Sequence, residues 1–112
     1  MIKCINTDKA PKVIGPYSQA TLSAGQDNLV FASGQIGVNP ITNKMVEGGL
    51  VEETRQIFRN IRAVLKEGDS NLSNVLRVDI VLTNIDDYIE FNKLYEQEFI
   101  GHRKPARLTV EV

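Results

Sequence analysis

The 112-residue sequence has no tryptophan, one cysteine and one histidine. A single cysteine excludes an intrachain disulfide framework and a four-cysteine zinc site, and one histidine leaves few ligands for a structural zinc. No apolar run approaches the roughly 20 residues that span a bilayer, and the first residues lack the apolar stretch of a signal peptide. A formal net charge of −1 disfavours a strongly basic nucleic-acid binder. We therefore expect one small, reduced, cytoplasmic domain.

The hydrophobic pattern predicts elements in the order β, β, β, α, β, α, β. They are strands at residues 2–5, 17–24, 29–33, 75–83 and 107–112, and helices at 50–67 and from about 87 to 99. Residues 34–49 carry four glycines and one proline and are predicted as a long loop of the kind that is functional or disordered. Gly68 is predicted as the left-handed residue that ends the first helix. Asp86 or Asp87 is predicted to cap the second.

Strands that alternate with two helical crossovers predict one sheet covered by two helices on one face. The other face would be bare in a monomer. The apolar residues expected on that bare face are Leu22, Phe31, Val81 and Val110. A bare apolar face predicts a partner surface, and we expect self-association into a closed homo-oligomer.

The last strand carries the first candidate for chemistry. Arg107 opens it, and a guanidinium is a rigid fork that fits a carboxylate or phosphate. The strand period of two puts Thr109 on the same face, so the pair could hold a small anion. Taken alone, Arg107 is better interpreted as a solvated arginine on an edge strand.

Three further positions have both a functional and a structural interpretation. Gly34 follows a buried strand, where a glycine lets an amide approach a ligand, but it also serves as a strand terminator. Tyr17 could donate its phenol to a bound acid, although such tyrosines more often pack with a wet hydroxyl. Asn92 lies beside Tyr88, Phe91, Tyr95 and Phe99, which form an aromatic stripe on the second helix, and an exposed helix residue is the favoured interpretation for it.

The remaining reactive side chains carry less weight. The cluster His102-Arg103-Lys104 is short and is expected to be solvated. Cys4 lies on the first strand and is expected to be buried rather than reactive. No glycine-rich phosphate loop, dinucleotide-binding motif, paired-cysteine motif or zinc-hydrolase motif is present, which disfavours nucleotide folds and zinc hydrolases.

Several short segments form an ordered pattern along nearly the whole chain. They are Ala10-Pro11 with Gly15-Pro16-Tyr17-Ser18-Gln19-Ala20, Ala32-Ser33-Gly34-Gln35-Ile36-Gly37, Glu53-Thr54-Arg55-Gln56 with Asn60-Ile61, Phe91-Asn92 with Tyr95, and Arg103-Lys104-Pro105-Ala106-Arg107. Each segment is unspecific alone. The ordered set resembles the RidA (YjgF) family of reactive intermediate deaminases, which includes 2-iminobutanoate/2-iminopropanoate deaminases.

The resemblance implies an α+β, chorismate-mutase-like (ferredoxin-like) fold that forms a homotrimer around a central barrel, with sites between subunits. It also implies hydrolytic deamination of enamines and imines such as 2-aminoacrylate, giving 2-keto acids and ammonia. The family needs no cofactor and no metal. The implied partners are small 2-imino and 2-keto acids, and neither a membrane nor a nucleic acid is expected.

Carried over by position, the resemblance makes Arg107 the catalytic residue, which holds the substrate carboxylate as a bidentate clamp. The Gly34 amide and Thr109 would contact the bound acid. The complete set of implied substrate-binding residues is Tyr17, Ser33, Gly34, Asn92 and Thr109. No metal ligand is implied.

The family pattern continues past Val112 through a loop and one more strand, whose Glu positions the attacking water. Residues 1–112 are therefore expected to form a single domain of this type without its C-terminal strand. Glu111 lies four residues from Arg107, about 13 Å along a strand, and is a poor substitute. The alternative is a non-catalytic small-carboxylate-binding or regulatory protein of the same fold. An RNA-acting translation inhibitor is less favoured because of the net charge.

Overall fold

The computed structural model describes residues 1–25 and 27–112. Its strands are β1 (Ile2–Ile5), β2 (Ala20–Ser23), β3 (Leu29–Ala32), β4 (Val38–Asn39), β5 (Lys44–Met45), β6 (Arg77–Leu82) and β7 (Ala106–Glu111). Its helices are α1 (Gly49–Glu67) and α2 (Tyr88–Glu98), with short 3-10 turns at Leu72–Asn74 and Ile85–Asp87. Each predicted strand and helix is present, and the α+β class is as predicted. The turn expected at residues 25–28 includes Gln26, which lies outside the described residues.

The chain divides into two compact units, Met1–Asn71 and Leu72–Val112. The first unit holds α1, the three-stranded sheet β1-β2-β3 and the small hairpin β4-β5. The second unit holds α2 and the two-stranded sheet β6-β7. The strands thus pair in three separate groups, which differs from the single sheet expected from their order. No helix among the described residues is long and apolar enough to cross a membrane.

The sheet of the first unit is antiparallel, and its register decides which side chains share a face. Leu22 is paired with Val30, whereas its neighbour Thr21 is paired with Phe31. Because successive residues of a strand point to opposite faces, Leu22 lies on the face opposite Phe31. Leu22 packs against the core, and Phe31 is 64% exposed. The prediction that Leu22 lies on the bare face is therefore wrong, and the prediction for Phe31 is confirmed.

The core of the first unit lies between this sheet and α1. Its members are Ile5, Ala10, Ala20 and Val64, with Leu22, Val30 and Ala63 packed against them. At the end of α1, Gly68 has φ −90°, so it is not the left-handed residue that we expected; Asp69 has φ 58° instead. A Cβ on Gly68 would lie 2.8 Å from Ile5 Cδ1 and 3.1 Å from Val30 Cγ2. The glycine is needed for close packing of the helix end on the sheet.

A glutamine side chain explains why β2 begins at Ala20, three residues later than predicted. Gln19 is buried, and its Oε1 accepts a hydrogen bond from the Thr7 amide at 2.6 Å. Its Nε2 donates to the carbonyl oxygens of Thr7 and Pro11 at 3.0 and 2.9 Å. The residues just before β2 therefore hold the N-terminal loop and do not extend the sheet.

The long loop predicted at residues 34–49 contains the hairpin β4-β5, which the sequence did not indicate. A buried polar side chain of α1 fixes the first part of this loop. Asn60 is fully buried, and its Nδ2 donates to the carbonyl oxygens of Ile36 and Val38 at 3.3 and 2.9 Å. Gln56 donates to Asn60 Oδ1 at 2.9 Å and completes the group. The first part of this loop is therefore held to α1 by side-chain hydrogen bonds.

The second unit is a strand–helix–strand motif in which α2 connects the parallel strands β6 and β7. Val78, Ile80 and Leu82 are paired with Arg107, Thr109 and Glu111. The remaining face carries Val81 and Val110, which are exposed as predicted, together with Leu108.

The entry to α2 also differs from the prediction. Asp87 makes no side-chain capping bond, and Asn84 Oδ1 instead accepts from the Asp86 amide at 3.0 Å. This bond starts the short 3-10 turn that leads into the helix, so the capping residue is Asn84, which precedes both of the predicted aspartates.

Candidate functional site

Arg107 is the centre of the polar arrangement in the second unit. It is the second residue of β7, and its side chain is half-buried on the face that carries α2. Its Nη2 donates to Asn92 Oδ1 at 2.7 Å. Asn92 is therefore not the exposed helix residue that its position alone favoured. The structure brings together two of the residues that the sequence singled out, one from the strand and one from the helix.

Two tyrosine rings of α2 lie against the same guanidinium. The Arg107 Cζ atom is 5.4 Å from the centroid of the Tyr88 ring and 4.9 Å from that of Tyr95. Both distances are within the range of a cation–π interaction. Burial raises the pKa of the Tyr95 phenol, and the positive charge of Arg107 opposes part of that rise. Arg107 therefore has an amide oxygen and two aromatic rings as neighbours.

A cavity of about 330 Å³ opens beside Arg107. Its lining residues are Asn92, Tyr95, Glu96, Lys104, Pro105 and Arg107. The Lys104 Nζ donates to the Phe99 carbonyl oxygen at the end of α2, 3.3 Å away. The volume is at the lower end of the range for small-molecule pockets, and the lining carries two cationic side chains, Lys104 and Arg107, against one carboxylate, Glu96. The cavity is thus of a size and charge that suit a small carboxylic acid.

Thr109 follows two residues after Arg107 on the same face of β7. Its Oγ1 is buried and has no hydrogen-bond partner among the described residues. Buried hydroxyl groups in folded proteins are nearly always paired, so an unpaired one calls for a partner such as a ligand. Two residues of strand span about 6.6 Å, a distance that a small acid can bridge. Arg107 and Thr109 therefore share one face of β7, whereas Thr109 is not among the residues that line the cavity.

Glu111 is the third polar residue on this face, and it is already engaged. Its Oε2 accepts a hydrogen bond from the Ile85 amide at 2.8 Å, at the 3-10 turn before α2. The carboxylate thus stabilises the entry to the helix. This contact agrees with the expectation that Glu111 is a poor substitute for a water-positioning acid.

The other three predicted site residues belong to the first unit. Tyr17 is exposed, and its amide donates to the Gly15 carbonyl at 3.0 Å in a tight turn. Ser33 Oγ donates to the Ser18 carbonyl at 2.6 Å, so this hydroxyl supports the loop before β2. Gly34 is exposed, and its amide makes no hydrogen bond to another described residue. Of the three, the Gly34 amide is the group best able to donate a hydrogen bond to an anion.

The remaining candidates are separate from this arrangement. His102 Nδ1 lies 2.6 Å from Ser73 Oγ, so the histidine has a polar neighbour that the sequence did not indicate. Cys4 is exposed, and the prediction that it is buried is wrong, because its cross-strand partner is Thr21 on the face that α1 does not cover. Within residues 1–25 and 27–112 there is no group of three or more potential metal ligands.

Comparison with known proteins identifies the family. Residues 7–112 match the family model described as Endoribonuclease L-PSP. The chain belongs to this family. The RidA resemblance that the sequence motifs indicated is thereby confirmed, since family members similar to this chain include proteins named as 2-iminobutanoate/2-iminopropanoate deaminases.

Three family members show how close the similarity is. A RutC family protein of Pyrococcus abyssi is 43% identical over 108 residues, which cover 96% of this chain and 82% of the relative. The human 2-iminobutanoate/2-iminopropanoate deaminase is 38% identical over 110 residues, covering 98% of this chain and 77% of the human protein. The crystal structure of a Rid family protein from Yersinia pestis superimposes with a TM-score of 0.94 at 40% identity, covering 100% of this chain and 86% of that one. The predicted fold of the family is therefore confirmed.

Sequence reasoning did not identify Tyr88 and Tyr95 as neighbours of Arg107. It placed both rings in an apolar stripe, which describes the packing of Tyr95 against Phe91 and Phe99. The sequence feature that could have revealed this contact is the spacing of Tyr88, Asn92 and Tyr95. It puts all three residues on one helix face, next to the strand that carries Arg107.

Proposed function

We propose that the protein is an enamine/imine deaminase that converts small 2-imino acids to 2-keto acids and ammonia. The observation that carries the proposal is the Arg107 guanidinium, held by Asn92 at the edge of a small cavity and followed by the buried, unpaired hydroxyl of Thr109. The name of the human relative, a 2-iminobutanoate/2-iminopropanoate deaminase at 38% identity, supports the same reaction.

The chemistry requires little beyond orientation of the substrate. An enamine such as 2-aminoacrylate becomes its imine when a proton moves to the terminal carbon, and water then adds to the C=N carbon. The resulting carbinolamine expels ammonia and leaves the C=O group of the 2-keto acid. A clamp that fixes the carboxylate holds the reacting carbon in one place while water attacks. In this proposal Arg107 is the clamp and Thr109 binds the same acid.

Tyr17, Ser33 and Gly34, which lie in the first unit, are further proposed substrate-binding residues. The Gly34 amide has no other described partner and would donate to the bound carboxylate. We further propose that the protein acts in the cytoplasm as a homotrimer, with the site between subunits. The exposed apolar side chains on the outer sheet faces of each unit, among them Phe31, Val81 and Val110, support self-association.

The test generates 2-aminoacrylate in solution with a serine dehydratase and follows the appearance of 2-keto acid above the rate in buffer. We expect the wild-type protein to accelerate this step. Arg107→Ala should lower kcat/KM at least about 30-fold. A carboxylate without its cationic partner typically loses about 2–5 kcal/mol of binding free energy. Arg103→Ala is the matched control, since Arg103 is exposed and does not line the cavity. Equal rates for wild type and Arg107→Ala would reject the assignment.

A non-catalytic carboxylate-binding protein is the second candidate, and the geometry of Glu111 favours it. That carboxylate is the one acidic group on the Arg107 face of β7, and the Ile85 amide already occupies it. Binding of 2-oxobutanoate without acceleration of the imine step would select this candidate. An RNA-cleaving function, which the family description names, is disfavoured by the net charge of −1.

A further inference from the structure

The two tyrosine rings next to Arg107 are the feature that the proposed function leaves unused. Tyr88 and Tyr95 are seven residues apart, which is about 10.5 Å of helix rise. The Arg107 Cζ atom lies 5.4 and 4.9 Å from their ring centroids, so the guanidinium lies between the two turns of α2 that carry them. Asn92, from the turn between them, accepts the hydrogen bond from Nη2.

We propose that Tyr88 and Tyr95 are positioning residues, which hold the Arg107 guanidinium between their rings and so fix the edge that it presents to a carboxylate. This inference rests on the proposed function, because it concerns the same clamp. A carboxylate binds a guanidinium in the plane of the fork through two parallel hydrogen bonds. A long arginine side chain that was free to rotate would have to lose that freedom on binding, and the rings and Asn92 remove it beforehand.

The two rings differ in a way that makes the proposal testable. Tyr95 is 6% exposed and packs between Phe91 and Phe99, at centroid distances of 5.9 and 4.7 Å. Its loss would also disturb the core. Tyr88 is 39% exposed at the first residue of α2, so its substitution changes the contact with Arg107 and little else. A positioning role requires the ring at both places, whereas the phenolic oxygen is dispensable.

The experiment measures binding of 2-oxobutanoate to the full chain by isotope-detected NMR titration. Tyr88→Leu and Tyr95→Leu should each weaken binding about threefold to thirtyfold, the range of a cation–π contact. Tyr88→Phe and Tyr95→Phe should restore binding to within about twofold, because the ring returns without the hydroxyl. In the deaminase assay the leucine variants should raise KM and leave kcat close to that of wild type, since the rings act on the clamp and not on the reacting carbon.

The Arg107 Nε–H resonance is a readout that needs neither ligand nor activity. Ring currents from the two tyrosines should shift it away from the resonances of exposed arginines, and the phenylalanine variants should keep that shift while the leucine variants lose it. Phe91→Leu is the matched structural control, because it removes a buried ring from the same helix, whereas the rings that lie against the Arg107 guanidinium are those of Tyr88 and Tyr95. It should lower stability and leave both the resonance and the binding unchanged.

The outcomes separate this inference from the proposed function. If wild type binds 2-oxobutanoate and the leucine variants bind equally well, or if Phe91→Leu weakens binding as much as Tyr95→Leu, the positioning role is overturned and the deaminase proposal stands. If wild type and Arg107→Ala are alike in not binding the acid, the proposed clamp is rejected and this inference is rejected with it.

Discussion

At the scale of the residue, the function depends on how one charged side chain is held. Arg107 has a hydrogen bond from Nη2 to Asn92 and contacts with two aromatic rings, all from α2. Tyr95 is involved in two roles, because it also belongs to the buried aromatic stripe of that helix. Burial raises the pKa of its phenol above the ordinary value of 10.0, and the Arg107 charge only partly opposes this rise.

This pKa leads to a prediction for alkaline stability. Below about pH 10 the phenol is neutral in both the folded and the unfolded chain, so it does not change the stability with pH. Above that value the unfolded chain releases the proton first, and the free energy of unfolding should fall until the pH passes the raised pKa of the folded state. The Tyr95→Phe variant has no phenol at this position and therefore no proton to release. Urea unfolding at about pH 8 and about pH 11 should show a smaller alkaline loss for the variant than for wild type; equal losses would contradict the prediction.

At the scale of the element, the loop after β3 is held by α1 through polar contacts. Asn60 binds the carbonyl oxygens of Ile36 and Val38, and a Cβ on Gly37 would lie 2.9 Å from the Glu53 Cα atom. The backbone of this loop therefore approaches the helix as closely as a glycine allows. The same loop carries the Gly34 amide, so its rigidity bears on the proposed site.

Asn60→Ala should consequently destabilise the protein by about 1–3 kcal/mol, because the buried Asn60 side chain is the hydrogen-bond partner of the Val38 carbonyl and of the Gln56 amide. Arg59→Ala is the control from the edge of the same group. Arg59 is exposed and donates to Gln56 Oε1 at 3.1 Å. Its replacement by alanine should lower the free energy of unfolding by about 1 kcal/mol or less. Denaturant unfolding measures both values, and hydrogen exchange at residues 34–38 should accelerate only in Asn60→Ala. A loss below about 1 kcal/mol for Asn60→Ala would contradict this account.

At the scale of the whole molecule, the outer sheet face of each unit remains apolar and exposed. Phe31 is 64% exposed in the first unit, and Val81 is 58% exposed in the second. Monomeric proteins seldom leave such faces in contact with water. A chain of 112 residues has only a modest core of its own, and association buries additional apolar surface.

We therefore expect wild type to sediment as a closed homo-oligomer of three copies, and Phe31→Glu to shift it towards the monomer by placing a charge on the apolar face. Ile41→Glu is the control, since Ile41 is also apolar and is 91% exposed but lies in the turn between β4 and β5. Analytical ultracentrifugation of the three proteins at micromolar concentration decides the question. A monomeric wild type, or dissociation by both variants alike, would contradict the expected interface.

The sequence predicted the parts of the fold that depend on local periodicity. The spacing of Phe58, Val64 and Leu65 marked α1, and the alternation around Arg107 put Thr109 on the same strand face. It did not reveal the hairpin β4-β5 or the capping role of Asn84, because short elements and side-chain caps leave little periodic signal. The ordered family motifs added the candidate site residues, which no periodicity identifies.

The fold class, the family and the arginine at the centre of the candidate site thus follow from the amino-acid sequence. The surroundings of that arginine depend on the folded chain, since the rings of Tyr88 and Tyr95 become its neighbours when α2 crosses over between the parallel strands β6 and β7. The folded chain likewise places Leu22 inside and Cys4 outside, because burial depends on strand register and not on the apolar character of a residue alone.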